Sequence, residues 1–264
     1  MIDRREMPIG FFDSGVGGVS VLKEAIRLLP NESFIYFGDN GNAPYGTKPL
    51  EQIRRLSMNA ATFLSEKGIK ALVVACNTAT SAAIRDLRDS FSFPIIGMEP
   101  ALKPAVHIRN NGKIIVMATP ATIKQEKFQN LLRKYGKDNE VISLPCPGLV
   151  ELIEAGKFDS PELNRYLEET IGPFRNMEVD VVVLGCTHYV FIRKHIKAFF
   201  MGKAYVIDGN LGTVRQLFHV LNGNNLLIEE ENRSSGKVSF YTSGNPEKVL
   251  PLFHTLLNYQ VMKE

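Results

Sequence analysis

Short apolar runs alternate with amphipathic stretches along most of the chain. The runs end in small or polar residues, which is typical of parallel strands buried between two layers of helices. We predict strands at residues 9–12, 34–37, 71–75, 95–96, 114–118, 141–144, 181–184 and 205–207. Helices are predicted between them, at residues 19–29, 52–67, 122–135 and 161–174. This alternation predicts an α/β protein with parallel sheets flanked by helices.

The spacing of the strands suggests that one unit occurs twice. Strands near residues 9, 34 and 71 are spaced much like those near 114, 141 and 181. The third strand of each set ends alike, in Cys76-Asn77-Thr78 and in Cys186-Thr187-His188. A single (β/α)₈ barrel would also use about eight strands. The matching spacing favours a duplicated βαβαβ unit instead, and hence two similar α/β domains.

The tail beyond about residue 211 has a different pattern, with a predicted helix at 213–221 and a strand at 238–241. Residues 222–236 between them are rich in Asn, Glu, Ser and Gly, which predicts a surface loop. Because the chain must return from the second unit, we expect this tail to pack on the first. The predicted domains are therefore 1–97 with about 211–264, and 98–210.

Composition narrows the class of protein. The 264 residues include 44% hydrophobic and 22% charged residues, and 31 Lys and Arg against 28 Asp and Glu give a net charge of +3. This is an ordinary globular composition, without the basic block that nucleic-acid binding would need. No apolar run approaches the roughly 20 residues of a membrane span, and no signal peptide is expected. Three cysteines do not suggest a disulfide scaffold, so we expect a cytoplasmic protein with free thiols.

Candidate chemistry lies directly after the apolar runs, because open parallel sheets bind ligands at the carboxyl ends of their strands. The segment 13–18, Asp-Ser-Gly-Val-Gly-Gly, is either an anion site at a helix N-terminus or a tight strand-to-helix turn. It does not match a nucleotide-binding motif. Metal binding is not expected, since the Cys and His residues lack ligand spacing.

Two cysteines at matching points of a duplicated unit favour chemistry on a substrate. Cys76 and Cys186 are 110 residues apart, and each precedes residues that begin a helix. A helix N-terminus favours the thiolate, so we expect both thiol pKa values to fall toward neutrality. Across a cleft, two such groups suit removal of a proton from one face of a carbon and its return to the other. Asp13 and His188 are placed to tune them, although His188 also fits an ordinary hydrogen-bonding role. Cys146, between two prolines, is interpreted as structural.

Four segments carry a family resemblance, and they occur in the same order as in that family. They are residues 10–18, Ala43-Pro44-Tyr45-Gly46, residues 74–80 and residues 184–189. Together they resemble the cofactor-independent aspartate/glutamate racemase family, and Cys76-Asn77-Thr78 with Cys186-Thr187-His188 look like its glutamate type. Two departures lie beside these motifs: Asp39-Asn40-Gly41-Asn42 replaces a stretch that usually contains a basic residue, and Val190 stands where proline is common.

The resemblance implies two pseudo-symmetric domains with the active site between them, and no cofactor. It implies interconversion of L- and D-glutamate by Cys76 and Cys186, assisted by Asp13 and His188, with D-glutamate supplied for peptidoglycan. Glu154 is a further assisting position, and a homodimer is expected. The substrate-binding residues that it implies are Asp13, Ser14, Tyr45, Gly46, Asn77, Thr78, Thr187 and His188.

Other functions stay open at this stage. The chain could racemise another amino acid such as aspartate, or be a one-cysteine decarboxylase or isomerase. A pyridoxal-phosphate racemase is a further alternative, although no pattern here suggests its lysine. From a different class, a non-catalytic amino-acid-binding protein would bind glutamate and leave its α-hydrogen in place.

Overall fold

A computed structural model describes residues 3–228 and 236–259. Its strands are β1 (Ile9–Asp13), β2 (Phe34–Gly38), β3 (Ala71–Val74), β4 (Ile95–Gly97), β5 (Lys113–Ala118), β6 (Glu140–Pro145), β7 (Val181–Leu184), β8 (Tyr205–Asp208) and β9 (Val238–Thr242). Its α-helices are α1 (Val19–Leu28), α2 (Leu50–Glu66), α3 (Asn77–Ser90), α4 (Leu102–Ile108), α5 (Pro120–Lys124), α6 (Glu126–Tyr135), α7 (Leu149–Glu154), α8 (Pro161–Ile171), α9 (Arg193–Phe199), α10 (Asn210–Gly223) and α11 (Pro246–Asn258).

The strands form two parallel sheets of the same design. The first has the order β4-β3-β1-β2-β9, and the second has the order β6-β5-β7-β8. Read from the other edge, the second sheet is β8-β7-β5-β6, which repeats β4-β3-β1-β2 strand for strand. Every pairing in both sheets is parallel. The predicted α/β fold with a duplicated unit is therefore confirmed.

Helices cover both faces of each sheet, which explains why the strands read as unbroken apolar runs. In β1 every residue is buried, and its side chains alternate between two cores. Phe11 packs in the core that α1 and α10 share, whereas Phe12 packs against α2 and α3. A smaller core covers the second sheet, where Phe128 of α6 packs with Val116 and Val183.

The tail returns to the first sheet. Strand β9 pairs with β2 from Phe34↔Val238 to Gly38↔Thr242, and α10 and α11 pack on α1. These contacts support the domain limits predicted from the sequence, 1–97 with about 211–264 and 98–210, which we retain as a proposal. The predicted loop at 222–236 falls partly outside the described residues; within them, α10 continues to Gly223.

The helix predicted at 122–135 is two helices in the structure. Thr119 caps α5, its side chain accepting a hydrogen bond from the Thr122 backbone N–H, and the chain then breaks at Gln125. Gln125 has extended backbone angles, φ −73° and ψ 141°, and α6 begins at Glu126. The break lets α5 lie against the 3₁₀ helix Tyr45–Thr47, which belongs to the first half of the chain.

Candidate active site

The carboxyl ends of both sheets bring the predicted site residues into one region. Asp13 ends β1, Cys76 is the N-cap of α3, and Cys186 precedes the 3₁₀ helix Thr187–Ile192. Glu154 ends α7 in the second half of the chain. Direct contacts connect both halves at this point, so the strand-end loops form one continuous polar cluster.

Cys76 is held by groups from the first half of the chain. Its Sγ accepts a hydrogen bond from the Ala79 backbone N–H at 3.4 Å and lies 3.5 Å from Ser14 Oγ. Only 5% of the residue is exposed. Burial, with a smaller contribution from the charge of Asp13, raises the pKa of the Cys76 thiol to about 12. The prediction that a helix N-terminus lowers this pKa toward neutrality is wrong for Cys76, because desolvation outweighs the two hydrogen bonds.

Asp13 bridges the two halves. Its Oδ1 accepts the Gly15 N–H at 2.7 Å, and its Oδ2 accepts the Thr187 hydroxyl at 3.2 Å. Complete burial raises its pKa to about 6, although the charge of His188 and these hydrogen bonds favour the ionised form. A carboxyl group with this pKa is mostly ionised above pH 7 and is available to accept a proton.

A hydrogen-bonded chain leads from Glu154 to the second thiol. Glu154 Oε1 lies 2.5 Å from His188 Nε2, and His188 Nδ1 lies 3.7 Å from Cys186 Sγ. Burial lowers the pKa of His188, but its contacts with Cys186 and Glu154 outweigh burial and raise it well above the ordinary value. For Glu154, burial raises the pKa and the contact with His188 more than offsets that, so the pKa is lowered. Both shifts favour an imidazolium paired with a carboxylate, and His188 Nδ1 faces the sulfur.

Two glycines permit this close approach of the halves. A Cβ on Gly17 would lie 2.3 Å from His188 Nδ1 and 2.4 Å from Thr187 Oγ1. A Cβ on Gly15 would lie 1.9 Å from Glu154 Oε1. Segment 13–18 forms a strand-to-helix turn whose glycines admit side chains from the other half. The anion site at this position stays a prediction.

Asn77 and Thr78 begin α3 beside the first thiol. Neither Nδ2 nor Oδ1 of Asn77 has a hydrogen-bond partner within the described chain, although both are buried. Because buried amides without partners are rare, this side chain is available to a ligand. The Thr78 hydroxyl lies 2.9 Å from that of Thr119 and 3.2 Å from that of Thr122.

Tyr45 and Gly46 lie at the edge of the cluster. The Tyr45 hydroxyl donates to Asp39 Oδ2 at 2.6 Å, which orients the ring, and no hydrogen bond of the described residues connects it to either thiol. A Cβ on Gly46 would lie 2.8 Å from Thr119 Cβ, so this loop also abuts the second half. Cys146 belongs to the same buried core as Cys186, and its Sγ is directed at the Leu144 carbonyl at 3.5 Å.

The structure adds residues that sequence reasoning did not select. Thr119 and Thr122 complete the hydroxyl cluster around Thr78, and Asn40 donates to Glu154 Oε2 at 2.9 Å. Thr119 directly follows β5, and residues directly after parallel strands are the expected ligand-binding positions. The sequence therefore did carry a signal for Thr119. The Asn40–Glu154 contact spans 114 residues and has no local signal.

Within residues 3–228 and 236–259, no group of three or more Cys, His, Asp or Glu side chains is arranged to hold a metal ion. No helix in the same ranges is long and apolar enough to cross a membrane. The fold and site are those of an α/β enzyme whose polar groups come from two sheets with matching strand order.

Comparison with known proteins agrees with this class. A family model described as Asp/Glu/Hydantoin racemase matches residues 13–217. A glutamate racemase from Clostridium botulinum (strain Okra / Type B1) is 52% identical over 253 residues, which are 96% of this chain and 98% of the relative. A glutamate racemase isoform from Bacillus anthracis superposes with a TM-score of 0.87 at 31% identity, over 97% of this chain and 96% of that one. A Francisella tularensis glutamate racemase, crystallised with D-glutamate, has a TM-score of 0.83 at 31% identity, over 97% of this chain and 95% of that one.

The chain therefore belongs to the Asp/Glu/hydantoin racemase family. It is an isomerase, as the motifs of the sequence predicted.

Proposed function

We propose that this enzyme interconverts L- and D-glutamate, using Cys76 and Cys186 as the two acid/base groups. The observation that carries the proposal is the pair of buried thiols at equivalent strand ends. His188, paired with Glu154, lies 3.7 Å from Cys186 and can exchange its proton. Asp13 acts on Cys76 through its charge, and we propose that it exchanges the proton of that thiol. Glutamate is the substrate named for the Clostridium relative, and D-glutamate is bound to the Francisella neighbour.

In the proposed reaction, the thiolate on one face of the substrate takes the α-hydrogen as a proton. The thiol on the opposite face gives its own proton to the resulting carbanion, which inverts the α-carbon. The two cysteines end the turnover with their protonation states exchanged, so the next turnover runs in the opposite direction unless protons redistribute. Such a reaction consumes no oxidant or reductant and needs only acid/base groups.

The main chemical difficulty is the weak acidity of an α-hydrogen next to an ionised carboxylate. Hydrogen bonds that strengthen as negative charge develops there lower the barrier. Asn77 is the best candidate for this role, because its amide is buried and has no partner among the described residues. Ser14, Thr78 and Thr187 are proposed to bind the substrate beside it, with Tyr45 and Gly46 shaping the edge of the site.

The decisive experiment is incubation with L-glutamate in D₂O without added cofactor, following optical activity and the α-proton signal together. We expect loss of optical activity, with deuterium appearing first in the D-isomer. Aspartate run in parallel distinguishes the two amino acids. Retained optical activity without α-exchange would exclude glutamate as the substrate, and binding without exchange would indicate a non-catalytic binding protein.

The three cysteines offer a matched set of variants. Cys76→Ser and Cys186→Ser should each lower racemisation by at least about a thousandfold, because a serine hydroxyl is a far weaker acid than a thiol. Cys146→Ser is the control, since Cys146 is buried as well but contacts neither thiol's proton-exchanging partner. Racemisation that survives either of the first two substitutions would contradict the two-thiol assignment.

We further propose that the product D-glutamate enters peptidoglycan synthesis in the cytoplasm, and that the enzyme is a homodimer. These proposals rest on the family resemblance. Sedimentation velocity at micromolar protein concentration tests the oligomeric state, and depletion of the enzyme in its host, with and without added D-glutamate, tests the cell-wall role.

A further inference from the structure

We infer that Asn40 is a positioning residue for the second thiol, acting through Glu154 and His188, and that Thr242 of the C-terminal strand β9 holds it in place. The inference rests on the proposed function for its kinetic readout. Asn40 belongs to the segment 39–42 in which this sequence departs from the usual family pattern.

Asn40 belongs to a chain of three hydrogen bonds in which each group donates to the next, from Gly244 to Glu154. The Gly244 N–H donates to Thr242 Oγ1 at 3.0 Å, and the Thr242 hydroxyl donates to Asn40 Oδ1 at 3.0 Å. Asn40 Nδ2 then donates to Glu154 Oε2 at 2.9 Å. An ionised carboxylate can only accept, so the amide must present its NH₂ group to Glu154 and its oxygen to Thr242.

Glu154 has both oxygens committed as a result. Oε1 accepts the Val16 N–H at 2.7 Å and faces His188 Nε2, while Oε2 faces Asn40. Val16 and Asn40 lie on loops of the first sheet, whereas Glu154 and His188 belong to the second half of the chain. The acid/base chain of Cys186 is thus completed by donors from the opposite side of the cleft.

Close packing leaves Asn40 little freedom to turn away. A Cβ on Gly38 would lie 2.6 Å from Asn40 Oδ1, and one on Gly244 would lie 3.1 Å from Asn40 Cβ. The neighbouring Gly41 abuts the Ser243 carbonyl in the same way, at 2.8 Å from a built Cβ. The loop after β2 is therefore fitted against the end of β9, and that contact sets where the Asn40 amide points.

Asn40→Asp is the most informative substitution, because it keeps the shape and replaces the donor with a second carboxylate facing Glu154. We expect kcat/KM for glutamate to fall about tenfold to a hundredfold, the range for loss of a hydrogen bond to a charged group. In Asn40→Ala and Thr242→Val, kcat/KM should fall less than in Asn40→Asp. Since Thr242 acts through Asn40, adding Thr242→Val to Asn40→Ala should cause no further loss.

Isotope effects distinguish positioning of one thiol from general loosening of the site. The equilibrium constant of racemisation is one, so kcat/KM must fall equally for both enantiomers. If only the step at Cys186 slows, the α-deuterium isotope effect rises for the enantiomer that Cys186 deprotonates and falls for the other. Asn42→Ala is the control: its amide donates to Asp39 in the same loop and not to Glu154, so both isotope effects should shift alike or stay unchanged.

A second readout does not depend on glutamate. Iodoacetamide alkylation, followed by peptide mass spectrometry at pH 7–9, should be slowed at Cys186 and unchanged at Cys76 in the Asn40→Asp variant. Isotope effects that move together, or equal alkylation changes at both cysteines, would overturn the inference. A wild-type enzyme that does not racemise glutamate would refute the proposed function instead, and alkylation would still test the role of Asn40. Thr242→Val serves the same tests if Asn40→Asp does not fold.

Discussion

Ionised Asp13 should destabilise the fold at neutral pH, and Asp13→Asn should therefore raise the free energy of unfolding. The carboxyl group is completely buried, and its pKa is about 6 in the fold against an ordinary value of 3.8. At 1.36 kcal/mol per pKa unit, holding this carboxylate ionised costs about 3 kcal/mol at pH 8. The Asn side chain keeps the shape and an acceptor for the Gly15 N–H.

The sign of the pH dependence follows from the raised pKa. Stability from the protonated Asp13 is fully present below about pH 3.8 and is lost as the pH rises through about 6. The advantage of Asp13→Asn should thus be full at pH 8, about half as large at pH 5, and small near pH 4. The same variant should lose most racemase activity, because the group near Cys76 can no longer accept a proton.

Urea unfolding of both proteins, followed by circular dichroism at pH 8, 6 and 5, measures the difference directly. Ser239→Ala, on the exposed side of β9 and far from the thiols in sequence, serves as a control for ordinary scatter between variants. A variant that is no more stable than wild type at pH 8 would refute the reasoning, as would an advantage of the same size at pH 5 and pH 8.

Two other substitutions test close contacts between buried side chains, one in the site and one in the ion pair between Lys70 and Glu32. Gly17→Ala should lower kcat/KM at least about tenfold, because its Cβ would lie 2.3 Å from His188 Nδ1. An unchanged kcat/KM would show that His188 tolerates the methyl group. Lys70→Met should lower the free energy of unfolding by about 3–5 kcal/mol, because Lys70 Nζ pairs with buried Glu32 at 2.5 Å. Adding Glu32→Gln should restore much of that loss in urea unfolding, and a double variant as unstable as Lys70→Met would contradict the ion-pair explanation.

The sequence predicted the fold better than the chemistry of its site. Buried strands such as β5 and β7 are apolar without interruption, and the spacing of the two units exposed their duplication. Helix α11 was missed because Pro251 lies inside it and obscures the periodicity. The break at Gln125 has neither glycine nor proline to signal it; it depends on how α5 meets the Tyr45–Thr47 helix of the other half.

In the site, residue types at strand ends were sufficient to propose Cys76, Cys186, Asp13 and His188, which the structure places at the carboxyl ends of the two sheets. The pKa of the Cys76 thiol could not be predicted in the same way. Burial of Cys76 depends on the whole fold, and it reverses the pKa shift that a helix N-terminus alone would give. Asn40 was visible only as a departure from a motif. Its role depends on a partner 114 residues away, which no local pattern contains.

The return of the chain to β9 has a mechanical consequence. The polypeptide crosses from the first sheet to the second between β4 and β5, and crosses back between β8 and β9. A buried apolar core also continues from the first half into the second. The two connections and this shared core together restrict the ways in which the loops that carry Asp13 and Glu154 can separate.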